Sequence, residues 1–274
     1  MTEHLKMTEE TLASYGTLYK YRDAGSPWSW ETLRNQELYL ANPREFNDPF
    51  DANILMRYDL ASEEFKRKVC EKYVAEVHPG AGLFLREKLM TTLLGRMNDP
   101  ETHDKAMQDW IDSLVSKVRM VCLCPERDNI LLWSHYANNH TGFAIGFDAV
   151  QLHNLWRTNG GFILGHALYQ KEYPILFPPD VCDIDARGRI ITIIMNIKSQ
   201  IWKYEKEIRL TMFNGPQKAS FAPNLINDIV LGCNIELNNQ SKILEIVDRQ
   251  YSHASVHRAK LRRGAFALDF DRLR

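Results

Sequence analysis

Hydrophobic periodicity changes twice along this chain, and that change limits the folds open to it. Between about Leu60 and Met120 the apolar residues recur at helical spacing: Phe65, Val69, Tyr73 and Val77, then Leu83, Leu85, Leu89, Leu93 and Leu94, then Met107, Trp110, Leu114 and Val118. The pattern predicts helices with breaks at His78–Gly82 and Asn98–Thr102. On either side the short apolar stretches read as strands. Leu18–Arg22, Glu37–Leu40, Met120–Leu123, Phe143–Phe147, Phe162–Tyr169, Glu172–Phe177, Glu205–Phe213 and Ile226–Leu231 are expected to be extended. Helices are expected at Trp30–Gln36, at Asn129–Ala137 with Asp128 as its cap, at Ile190–Trp202 and at Glu236–Tyr251. Pro43–Asp51 and Pro178–Pro179 read as loops, and Ser255–Leu261 with Ala265–Phe270 as a closing hairpin around Arg263-Gly264. Strands grouped before and after a helical block predict an α+β domain spanning 1–274, with mixed, mainly antiparallel sheets and a helical insertion at about 60–119.

Composition narrows the class. The 274 residues are 45% hydrophobic and 25% charged, with 34 Lys+Arg against 35 Asp+Glu. A net charge of -1 does not announce a nucleic-acid binder, although a local patch still could. Cys70, Cys122, Cys124, Cys182 and Cys233 form no CxxC pair and are read as reduced, mostly buried thiols. The polar start MTEHLKMTEE has no apolar leader region, and no apolar run is long enough to span a bilayer. A cytoplasmic protein with no membrane partner is therefore expected. Glycine-rich nucleotide loops, a nucleophile elbow and an H-E-x-x-H pair are all missing. The E-x-K triplet Glu64-Phe65-Lys66 falls in the helical block, where it does not suit a strand-borne nuclease site.

Polar residues interrupt the apolar pattern at four places: Tyr19-Lys20-Tyr21-Arg22, Phe46-Asn47-Asp48-Pro49-Phe50-Asp51, Trp133-Ser134-His135-Tyr136 with His140, and Trp202–Arg209 (WKYEKEIR). On a strand Glu205, Glu207 and Arg209 would share one face, with Tyr204, Lys206 and Ile208 on the other. Repulsion would raise the proton affinity of one carboxylate while Arg209 keeps another ionised. The competing reading is a solvated strand face with a Glu–Arg pair of little energetic weight. Asp48 reads as a turn residue bonding its own backbone. A lone His135 on an apolar helix is more often structural than catalytic. Arg22, at a strand end, has no packing explanation. The segment His257–Arg263 is locally basic; it could contact phosphates, but a charged edge that resists aggregation explains it better.

The order LYKYR, ELYLANPREFNDPFD, DNILLWSHYANNHTGFAIGFD and WKYEKEIRL resembles a widespread bacterial family known chiefly as a domain of unknown function. That family is in turn distantly similar to the ADP-ribosyltransferase superfamily. The resemblance implies a split core of mainly antiparallel sheets and NAD as substrate. It implies Glu207 as the catalytic carboxylate, Glu205 as the group orienting an acceptor, and Tyr21 or Arg22 as the early NAD contact. Asn47, His135 and Tyr136 complete the expected cofactor-binding set, with no metal. The partner implied is a macromolecular acceptor (protein, DNA or RNA), as for a toxin or phage-defence effector, with an antitoxin or other partner protein alongside. The sequence departs from that superfamily in two ways: LYLAN carries no Ser-Thr-Ser element, and Trp133–His140 has no counterpart. Two alternatives stand beside it. One is a metal-dependent nucleic-acid hydrolase using His135, Asp48 and Glu207; the other is a non-catalytic ligand-sensing or partner-binding module.

Overall fold

The structure, a computed structural model, describes residues 8–158, 163–176, 191 and 193–274. Its strands in chain order are β1 (Thr17–Arg22), β2 (Glu37–Tyr39), β3 (Leu55–Met56), β4 (Val118–Leu123), β5 (Phe143–Asp148), β6 (Ile163–His166), β7 (Leu168–Gln170), β8 (Ile175–Leu176), β9 (Ile197–Ser199), β10 (Ile208–Phe213), β11 (Lys218–Ser220), β12 (Ile226–Leu231), β13 (Ser255–Leu261) and β14 (Leu268–Arg272). The helices are α1 (Glu9–Tyr15), α2 (Pro27–Asn35), α3 (Glu63–Val77), α4 (Leu83–Asn98), α5 (Pro100–Val115), α6 (Ile130–Tyr136), α7 (Ala149–Thr158) and α8 (Leu237–Gln250). None of these helices is long and apolar enough to cross a membrane.

Two sheets organise the fold. A five-stranded sheet runs β1-β5-β12-β13-β14, and a three-stranded sheet runs β4-β10-β6. Pairing is antiparallel throughout both except between β12 and β13, so the mixed, mainly antiparallel expectation holds. Strand alternation then builds separate cores. Leu18 of β1 and Phe143, Ile145 and Phe147 of β5 face the largest buried cluster, which Val121 and Leu123 of β4 and Ile208 and Leu210 of β10 also enter. Tyr19 and Tyr21 face the other way, under Trp133 and Ala137 of the α6 region. Val118 and Met120 of β4 turn to a further cluster with Ile111 and Val115 of α5. The helical block thus covers the outer face of the three-stranded sheet. Asp99 caps α5 through the Thr102 N–H, with Pro100 at the first turn, so the second break in the block is one residue wide.

Several boundaries differ from the sequence expectation for identifiable reasons. Asn129, not Asp128, caps α6: its side chain accepts from Leu132 N–H at 3.3 Å. The helix expected over Ile190–Trp202 is present at 191 and 193–196, then stops at Ile197, where β9 pairs in parallel with β7 and a 3-10 turn follows over Gln200–Glu205. Ile190, Thr192, Phe162, Phe177, Cys182 and the Pro178–Pro179 loop lie outside the described residues. The strand expected from Glu205 begins at Ile208, because Lys206 adopts a left-handed conformation (φ 45, ψ 43). The hairpin's second strand is Leu268–Arg272. Lys260 and Arg262 of the basic segment pair with Asp271 and Asp269, and Arg258 bonds Gln240. Charge pairing therefore accounts for that segment.

One glycine is dictated by packing. Gly146 lies between Tyr19 and Asp228 in adjacent strands, and the Tyr19 hydroxyl donates to Asp228 across it at 2.9 Å. An added Cβ would come within 2.7 Å of Thr17 Cγ2 and 3.0 Å of Asp228 Cβ and its carbonyl oxygen. Gly146→Ala is expected to lower stability by about 1–3 kcal/mol through overpacking. Urea unfolding measures it; an unchanged midpoint would show that the strands yield freely here.

Candidate functional site

Among the described residues one backbone bridge links β1 to β4. Tyr19 N–H donates to the Cys124 carbonyl at 2.7 Å, and Cys124 N–H donates back to Tyr19 at 3.0 Å. Beyond this bridge β1 and β4 diverge, and a cleft opens between them. Tyr21, Asn47, Tyr136, Glu205 and Glu207 all line it, together with Lys20, Phe46, Cys122 and Lys198. Four segments far apart in sequence therefore converge on one cavity. Arg22 is adjacent on β1. His135 does not line the cleft; it is exposed on the outer side of α6, its ring against Tyr136 and Tyr204.

The floor of the cleft is a buried network of ion pairs. Arg209 is fully buried and grips Asp51 with both terminal nitrogens, at 2.8 and 2.6 Å. It also donates to the Met195 carbonyl at 2.8 Å and to Glu207 at 3.1 Å. Lys198 Nζ lies between the two glutamates: it donates to Glu207 at 2.9 Å, bonds Glu205, and sits 5.3 Å from the Trp202 ring centre. The Tyr136 hydroxyl donates to Glu205 at 2.7 Å. Glu207 N–H donates to the Tyr169 hydroxyl at 2.8 Å, and the Cys122 thiol bonds the Glu207 carboxylate.

Arg209 keeps Glu207 ionised as expected, but the two carboxylates do not stand side by side on a strand. Glu205 ends a 3-10 turn, and the left-handed Lys206 lets Glu205 and Glu207 converge on one ammonium instead of standing side by side on a strand. Burial works to raise the proton affinity of Glu207, but Arg209 and Lys198 outweigh it and hold its carboxyl well below the usual carboxylate range. Glu207 is thus an ionised carboxylate, fixed by hydrogen bonds and shielded from bulk water. Burial and Glu205 push the Tyr136 hydroxyl up, and burial and Glu207 push the Cys122 thiol up, so both stay protonated.

One wall of the cleft carries the cation Lys20; Arg22, two residues further along β1, is not among the residues that line it. Lys20 and Arg22 share a face of β1. Lys20 donates to the Cys122 carbonyl at 3.0 Å, and neither cation forms an ion pair among the described residues. Arg22 Nε is buried with no hydrogen-bond partner, and burial lowers its guanidinium to about 10. Burial, and then the neighbouring Arg22, lowers Lys20 as well. Glu207 and Glu205 partly offset this at Lys20 through space without pairing with it, so both cations keep the capacity to meet an anion.

Sequence reasoning did not single out Lys198 or assign a role to Asp51. Lys198 is the lone cation in the apolar stretch 190–202, and a cation in such a run needs a buried partner; that was the available signal. Asp48 behaves as expected, accepting from Phe50 N–H at 2.9 Å. The hydrolase set His135, Asp48 and Glu207 is not assembled, since His135 faces outward and Asp48 bonds its own turn. Among the described residues no group of three or more His, Cys, Asp or Glu could hold a metal ion.

Residues 132–210 match a family model described as Protein of unknown function (DUF2971). The matched span runs from α6 to β10, so it carries Tyr136, Tyr169, Lys198, Glu205, Glu207 and Arg209, while β1 and Asp51 lie outside it. No curated protein matches the chain, and no solved structure does.

Proposed function

We propose that the protein is an NAD-consuming enzyme of the ADP-ribosyltransferase kind, acting on a macromolecular acceptor in the cleft between β1 and β4. The observation that carries this reading is the opposition of Glu207, buried and ionised, to the unpaired cations Lys20 and Arg22. Cleaving the nicotinamide–ribose bond builds positive charge on the sugar, as in glycoside cleavage. A fixed carboxylate in a water-poor site stabilises that charge most in the transition state. Lys20 and Arg22 would hold the diphosphate, and Tyr21 and Tyr136 would flank the nicotinamide ring. Antiparallel alternation turns the Tyr21 N–H and C=O toward the side used by Tyr19 to reach Cys124. Those groups would match a carboxamide. Glu205, bonded to Tyr136, would orient the acceptor.

A second reading has its own support. Lys198 already neutralises both glutamates, which suits a pocket that binds a ligand without turnover. Nicotinamide release from NAD, measured with and without cell lysate, separates the two: release supports the transferase, and binding without release supports the sensor. Arg22→Ala is expected to weaken NAD binding by roughly 10-fold or more, the size of a lost charge-assisted contact. Calorimetric titration tests this, and an unchanged affinity would remove Arg22 from the NAD site.

A further inference from the structure

The cleft leaves over one ring of the Trp133–His140 motif. His135 is exposed, with its ring centre 6.1 Å from Tyr204 and 6.4 Å from Tyr136. Tyr204 is in turn 6.0 Å from Trp202, whose ring covers Lys198. These rings form a row that starts over the buried ion pairs and ends at the surface. The row is preformed: Asn129, the cap of α6, donates to the Tyr204 carbonyl at 2.6 Å and ties the helix to the 3-10 turn. Apolar shoulders flank it, with Leu131 45% and Ile201 74% exposed. Lys203, on the same turn, is exposed and has no ion pair among the described residues.

We propose that this row is a platform for an unpaired nucleobase of a single-stranded nucleic acid. The base stacks on the exposed His135 ring, with the half-buried Tyr204 tilted 41° beside it, while Lys203 meets the backbone phosphate. An exposed imidazole face, with half-buried aromatic rings behind it and a cation beside it that forms no ion pair among the described residues, is what a base with its phosphate matches. A duplex hides its base faces, and the other basic segment, on β13, has Lys260 and Arg262 already paired with acids. Under the ADP-ribosyl-transfer reading, on which this assignment of an acceptor rests, a base nitrogen would bond to ribose C1′. The C1′–nicotinamide bond would break with its electron pair leaving on neutral nicotinamide, and the proton on the base nitrogen would pass to solvent.

The test is fluorescence anisotropy of labelled single-stranded DNA, single-stranded RNA and duplex DNA with the full chain at near-physiological salt. Either single strand is expected to bind at least about 10-fold tighter than the duplex, and the two single-strand arms identify the sugar. His135→Ala is expected to weaken that binding by about 5-fold or more, on the scale of one lost stacking contact. Lys203→Glu is expected to weaken it and flatten its salt dependence. Both side chains are exposed, so neither variant threatens the fold. No single-strand binding, equal affinity for the duplex, or unchanged affinity in both variants would overturn the proposal. The assay contains no NAD, so its failure is distinguishable from a failure to release nicotinamide.

Discussion

Glu207→Gln should cut nicotinamide release from NAD by at least about 100-fold, the usual scale for removing one charge-stabilising group from a buried site. The substitution keeps the shape and one acceptor oxygen but removes the charge that would face the developing sugar cation. The fold should survive it. Arg209 keeps both bonds to Asp51, and Lys198 keeps Glu205. Some stability is lost, because two buried cations are left with less compensation. Release rates therefore belong beside a thermal midpoint and a far-UV spectrum of the same sample. A folded Glu207→Gln protein that releases nicotinamide within a few-fold of the original would remove Glu207 from the chemistry.

Arg209→Met should produce the largest loss of stability of any single change in the site, about 3–5 kcal/mol, as expected when one partner is removed from a buried ion pair. In a chain of this size that is a fall of roughly 10 °C in thermal midpoint. Arg209 has no exposed surface, and its loss strands Asp51 without the guanidinium that grips both its oxygens. The Met195 carbonyl loses its donor as well. The double change Asp51→Leu with Arg209→Met should cost less than the sum of the two single changes, because it removes the orphaned charge along with its partner. Additive losses would mean that the two side chains act independently, contrary to the bidentate geometry.

The local periods of the chain sufficed for most of its elements. Alternation in Leu18–Arg22 and Phe143–Phe147, and helical spacing from Phe65 to Val118, appear as β1, β5 and the α3–α5 block within a few residues, because each pattern reflects which side chains one element can turn inward. The site was half legible by the same logic. Tyr21, Asn47, Tyr136, Glu205 and Glu207 stood out as polar residues in apolar surroundings, and all five line the cleft. His135 stood out equally and lies outside it, because position on a seven-residue helix depends on how that helix docks.

What the sequence by itself determined is therefore the set of elements, their mainly antiparallel class and a short list of polar residues needing partners. The tertiary structure alone decided which partners they have. Residues 190–202 are apolar enough to suggest a helix, and 191 and 193–196 are helical, yet 197–199 are extended, because pairing with β7 and the bonds of Lys198 to Glu205 and Glu207 outweigh local preference there. Arg209 stood beside the Glu205–Glu207 pair in the sequence already; Lys198, from another strand, is the second cation that turns their repulsion into a neutralised floor. Charge interactions depend on distance and burial, and neither quantity is written in the order of residues along a chain.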